Sequence, residues 1–184
     1  MTILLILIAL VALVVLWGIG VQRQLVSAEE ICKNSLSQIG VQQNSRWDAL
    51  TGMVELIKSY NEHEYATLRD VIAQRRPIDG NSSAEEADQQ ENLMGQVASR
   101  LNVVIEQYPD IKANENYGKA MDAVDKYTNM VRTSKMVYND TATNYNKLIR
   151  QIPDSIVASL FGFKVREYLK IDDQKKTGMP SLSI

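Results

Sequence analysis

The chain has 184 residues, 45% of them hydrophobic, and its 20 Lys and Arg against 22 Asp and Glu leave a formal charge of −2. Basic and acidic residues are interspersed, which excludes the cationic stripe that a phosphate backbone requires, so no nucleic-acid partner is expected. The single cysteine, Cys32, excludes an intrachain disulfide and reads first as a small buried apolar residue, with an intermolecular or reactive thiol as the alternative.

The first predicted element is a membrane span. Residues 3–21 carry no charge, and only Gly18 and Gly20 interrupt the apolar run. At ~1.5 Å of rise per residue, such a run approaches the ~30 Å of bilayer hydrocarbon. A cleaved signal peptide fits less well. No side-chain charge precedes the run, it is longer than an ordinary signal core, and no A-x-A site follows it. The expectation is a retained, single-pass anchor in the cell membrane, with the bilayer as partner through residues 3–21. Arg23 and Lys33 follow the run and lean the remainder toward the cytoplasm.

After the run, the periodicity is helical and close to heptad. Leu25, Cys32, Leu36 and Ile39 mark a first segment over residues 22–39. Gly40 costs about 1 kcal/mol in a helix interior, which predicts a break or kink there. Trp47, Leu50, Val54, Ile57, Asn61, Glu64, Leu68 and Val71 carry a second segment, residues 42–76. The polar stretch 77–88 reads as a loop that ends in a helix start, with Ser82 or Ser83 as N-cap and Glu85 and Glu86 in the first turn. Leu93, Val97, Leu101, Val104 and Tyr108 define a third segment, 84–107. Tyr108-Pro109-Asp110 is a turn with Asp110 as the next cap. The fourth segment, 112–150, has the longest stripe: Tyr117, Met121, Val124, Thr128, Val131, Lys135, Tyr138, Ala142, Tyr145, Ile149 and Ile152. Pro153 ends it. Stripes of this kind bury against neighbours at shallow angles. The predicted fold is therefore all-α, an N-terminal transmembrane helix (residues 1–21) followed by an antiparallel, up-and-down bundle of about four helices (22–164). A charged tail (165–184) follows, frayed over 176–184.

Several segments carry a family resemblance. They are Ser37-Gln38-Ile39-Gly40-Val41-Gln42, the stretch ELIKSYNEHE at 55–64, EQYPDIKANENY at 106–117 and YNDTATNYNKLIRQIPDSIVASLFGFK at 138–164. In these residues and their order the chain resembles the LemA family. The resemblance implies a bacterial, membrane-anchored helical bundle. Some relatives are linked to membrane organelle formation, and relatives often sit beside membrane protease genes. The chain departs from the family pattern at Gly40, where Asp is usual, and at Ser45 and Arg46, where a basic pair is usual. It departs again at Thr51 and Gly52, in place of Pro-Asn, and at Gln22 and Arg23, in place of Tyr-Asn.

The chain has no nucleophile elbow, phosphate-cradling glycine loop or paired-cysteine motif. Its one histidine, His63, has Thr67 rather than a second histidine one turn on, short of the convergent ligands zinc needs. Glu85-Glu86 and Asp172-Asp173 read as solvated charge. No catalytic residue, metal or cofactor is expected, and the chain is read as a non-enzyme. Two other constellations stand out. Asn61, Glu64, Thr128 and Lys135 place polar groups on otherwise apolar stripes, either as a buried network that sets register or as a ligand or ion site between helices. The second is the apolar patch 156–163, with Phe161 and Phe163, which either closes the end of the bundle or contacts a membrane or partner; closure is favoured. The tyrosines of the fourth segment read as core, and Asn139 and Asn146, seven apart, share a face beside them. The function this supports is a membrane-anchored interaction or scaffold protein, self-associating or organising a membrane-protein partner. A ligand-binding bundle is the alternative.

Overall fold

The computed structural model describes residues 1–171, and among these every regular element is helical. Asp172-Asp173 and the stretch 176–184 lie outside the described residues. The elements are α1 (Thr2–Ile57), α2 (Glu62–Ile72), α3 (Ala84–Gln107), α4 (Pro109–Lys112), α5 (Glu115–Arg150) and α6 (Asp154–Phe161). Residues after Gly162 run extended to residue 171.

α1 is one uninterrupted helix of 56 residues, about 84 Å long at 1.5 Å per residue. Its first twenty residues bury almost nothing, and this stretch is long and apolar enough to cross a membrane. From Val21 onward the same helix buries a continuous stripe: Leu25, Cys32, Leu36, Ile39, Gln43, Arg46, Leu50, Met53 and Ile57. The break expected at Gly40 does not form. A Cβ built at Gly40 would stand 1.9 Å from the Ile78 carbonyl oxygen, so glycine there admits a crossing chain rather than ending a helix. The heptad phase carries through it, because 36, 39, 43, 46 and 50 keep alternating steps of three and four.

The second expected segment, 42–76, is in turn divided. α1 ends at Ile57, a turn follows, and Asn61 caps α2 by accepting from the Glu64 amide at 3.0 Å. α2 folds back along α1, where Arg75, just beyond its end, donates to Asp48 at 2.7 Å. The loop continues in the same direction, with Ile78 buried beside Leu36 and Ile39. Ser83 then starts α3 with a full capping box, its hydroxyl accepting from the Glu86 amide while the Glu86 carboxylate accepts from the Ser83 amide. The cap of α5 is Asn114, not Asp110, because Pro109 opens the short helix α4 first.

The core contacts give the directions. The start of α3 meets Leu36 and Ile39, and its later residues meet Trp47 to Ile57, so α3 runs parallel to α1. Val124 shares a core with Trp47 and Ile57, whereas Tyr145 and Ile149 share one with Val21 and Leu25, so α5 runs opposite to α1. Three long helices therefore dominate. The return leg between α1 and α3 is a short helix plus a loop rather than a helix of comparable length. α6 and the extended residues 163–171 complete the end of the bundle nearest the apolar run.

Candidate functional site

That apolar end is built from α1, α5 and α6. Val21, Leu25, Cys32, Tyr145, Ile149, Val157 and Ala158 form one buried cluster, with Phe163 packed against it. α5 descends along α1 to Arg150, α6 follows, and the chain then turns back up. The reversal is made by Gly162, whose φ of 74° is left-handed and open to glycine at little cost. The Phe163 amide donates back to the Ala158 carbonyl at 3.0 Å, closing the helix end. The expected apolar patch is thus divided. Val157, Ala158 and Phe163 close the bundle, while Ile156, Leu160 and Phe161 are 65%, 80% and 59% exposed. The closure expected of Phe161 does not occur: at the last position of α6 its side chain stays exposed, and Phe163, beyond the Gly162 reversal, packs on the cluster instead.

Residues 163–171 form a strap along α5 that the expected boundary at 164/165 would have cut. Asn146 brackets Arg166, its Nδ2 donating to the Arg166 carbonyl at 2.8 Å and its Oδ1 accepting from the Arg166 amide at 2.9 Å. Asn139 brackets Leu169 in the same way, with both bonds at 2.9 Å. The match is metric. Seven helical residues advance about 10.5 Å, and three extended residues advance about 10 Å. The asparagines thus act on the strap as a neighbouring β-strand would, and satisfy backbone groups no helix reaches. The Tyr138 hydroxyl adds a bond to the Glu167 carbonyl at 3.1 Å, and Arg166 pairs with Glu29 of α1 at 2.8 Å. Burial pushes the Cys32 thiol and the Tyr138 and Tyr145 hydroxyls above their ordinary pKa values, so all three stay protonated at neutral pH.

The stripe residues singled out from the sequence are placed apart and engaged within the protein. Asn61 is a helix cap. Glu64 pairs with Arg100 of α3 at 2.7 Å on the surface, and that guanidinium holds its carboxyl below the ordinary glutamate range. The Thr128 hydroxyl donates to the Val124 carbonyl of its own helix at 2.7 Å. Lys135 ties α5 to two further elements: buried, it donates to Asp88 of α3 at 3.0 Å and to the Lys170 carbonyl of the strap at 3.3 Å.

Sequence reasoning missed the main buried polar contact. Arg46 of α1 is ion-paired with Glu91 of α3, and Gln43 donates to the Ala87 carbonyl at 3.0 Å. Gln90 accepts from the Arg76 amide at 3.0 Å, tying the return loop to α3. Gln43 and Arg46 occupy core steps of the α1 stripe, and that polar placement was the available signal. Shallow polar hollows flank these ties. One of about 610 Å³ is lined by Arg75, Arg76, Gln90 and Gln96 among others, and one of about 320 Å³ by Asp88, Tyr168 and Lys170 among others. Among the described residues, no group of three or more His, Cys, Asp or Glu side chains converges.

Two comparisons bear on this arrangement. The sequence profile described as the LemA family matches residues 35–183. The chain is also similar to the magnetosome proteins MamQ 1 and MamQ 2 of Paramagnetospirillum magneticum, each 33% identical over 76 residues. It is 28% identical over 74 residues to magnetosome protein MamQ of Magnetospirillum gryphiswaldense. The first two matches cover 41% of this chain and 28% of each relative, so the chain spans well under half the length of the curated relatives it matches.

Proposed function

The chain belongs to the LemA family, and from that premise we propose that it is a membrane-anchored, non-enzymatic scaffold that holds itself or a membrane-protein partner at a bilayer. The observation that carries this reading is α1. One helix supplies the exposed apolar stretch and, without a joint, the spine against which α2, α3, α5 and α6 pack. A bundle mounted this way has its orientation to the membrane set by a stiff rod rather than by a linker. The magnetosome names of its relatives accord with a role at membranes. Arg23 and Lys33, just past the apolar stretch, favour a single-pass anchor with the bundle on the cytoplasmic side. The four-legged, up-and-down course of the chain leaves Val103, Met130, Met136 and Val137 on its flanks for self-association.

Crosslinking in native membranes, followed by size analysis in detergent and mass spectrometry, tests the proposal. Crosslinked species containing a second copy or a recurrent membrane protein are expected. A strict monomer with no crosslinked partner would sink it.

A further inference from the structure

We propose that α6 is an interfacial helix, and that Ile156, Leu160 and Phe161 insert into the headgroup layer of an anionic bilayer beside the α1 span. The inference rests on the membrane anchoring proposed above. Three observations locate the helix. Val157 and Ala158 share a cluster with Val21, which ends the apolar stretch of α1, and with Leu25, one turn further on. Leu25 lies about 6 Å beyond Val21 along the helix, which is the depth of one headgroup layer. α6 also forms the lowest point of the chain's course, between the descending α5 and the ascending strap. Ile156 and Leu160 lie one turn apart on the face turned from Val157 and Ala158, and Ile152 extends the apolar surface to the foot of α5. In water this would be an uncovered hydrophobic patch on a folded domain; at the bilayer boundary it is solvated by acyl chains.

The charges select the lipid. Arg23, Lys147, Arg150 and Lys164 are exposed at the same end. Arg166 is there too but is paired with Glu29, and Asp154, in the first turn of α6, opposes them. Among the described residues, the excess at this end is cationic, as expected of a segment held against anionic headgroups.

The test uses the full chain reconstituted into vesicles. Cys32→Ala removes the native thiol, and Leu160→Cys, Ile156→Cys or Ser59→Cys then carries an environment-sensitive fluorophore. All three labelled positions are exposed, so labelling leaves the core intact. With phosphatidylglycerol vesicles containing a shallow spin-labelled lipid, emission from positions 156 and 160 is expected to fall about twofold. Position 59 lies in the turn just past the end of α1, which is about 54 Å beyond Val21 by helical rise, and is expected to be unaffected. Pure phosphatidylcholine should weaken the quenching; equal quenching there overturns the assignment of anionic lipid. Chain that floats with the vesicles yet shows no quenching at 156 and 160 overturns the interfacial helix and leaves the anchor standing. Chain that fails to float overturns the anchor, and the interfacial helix with it.

Discussion

The two ends of the bundle are held by different forces. At the end far from the apolar stretch, α1, α2, α3, α4 and the start of α5 converge on Trp47, Leu50, Ile57, Leu68, Met94, Leu101, Ile105 and Ile111, a large apolar core edged by the Arg46–Glu91 and Glu64–Arg100 pairs. At the near end only α1, α5 and α6 meet, and the cluster is smaller. There the strap is fastened by carboxamide–backbone bonds and by the Arg166–Glu29 pair. Hydrophobic burial is non-directional and grows with the area enclosed, so it suits the crowded end. Hydrogen bonds contribute modestly each but fix register, so they suit a single extended chain laid on one helix. The far end should therefore carry most of the global stability, and the near end should open locally first.

Trp47→Ala is the largest expected effect. Removing the indole from its fully buried site is expected to cost about 3–5 kcal/mol, read as a large fall in the denaturation midpoint of the detergent-solubilised chain. A loss comparable to that of a surface variant would break the contrast. Gly40→Ala comes next. The added methyl meets the Ile78 carbonyl and forces the return loop to move, a clash expected to cost about 3 kcal/mol. If glycine were there to break the helix, the same change would instead stabilise by about 1 kcal/mol.

Asn146→Ala sharpens the contrast. It leaves the Arg166 amide and carbonyl without their partners and is expected to cost about 2 kcal/mol. The loss should be local, with faster amide exchange at Arg166 and Leu169 and earlier proteolysis of the strap. Exchange in Leu101 to Ile105 should not change; if it accelerates equally, the two ends are one cooperative unit.

The smallest effect belongs to Glu64. Arg100 lowers its pKa in the folded chain, so its contribution to stability is present above the ordinary glutamate range and is lost as pH falls through the lowered value. The pair is exposed, so the effect is slight. Glu64→Gln should flatten only that acid limb, as measured by denaturation between neutral and acid pH. An unchanged limb would assign it to other carboxylates.

Much of the molecule was legible in local sequence pattern. A charge-free run, the three-and-four spacing of apolar residues and a helix start at Ser82 or Ser83, which the structure places at Ser83, depend on residues within a turn of one another, and such neighbours meet in any helix. Asn139 and Asn146 were visible as a shared face, but not what that face holds. Asn61 fell on the apolar stripe because α2 resumes nearly in phase after its turn, and periodicity cannot register a reversal of direction. Tertiary structure alone decided that Gly40 lies inside a helix, since the reason is the Ile78 carbonyl 38 positions away. It also decided that Arg46 finds Glu91 and Lys135 finds Asp88. The apparent tail became a strap for the same reason: its backbone partners are side chains twenty to thirty residues distant, brought within reach only once α5 has packed on α1.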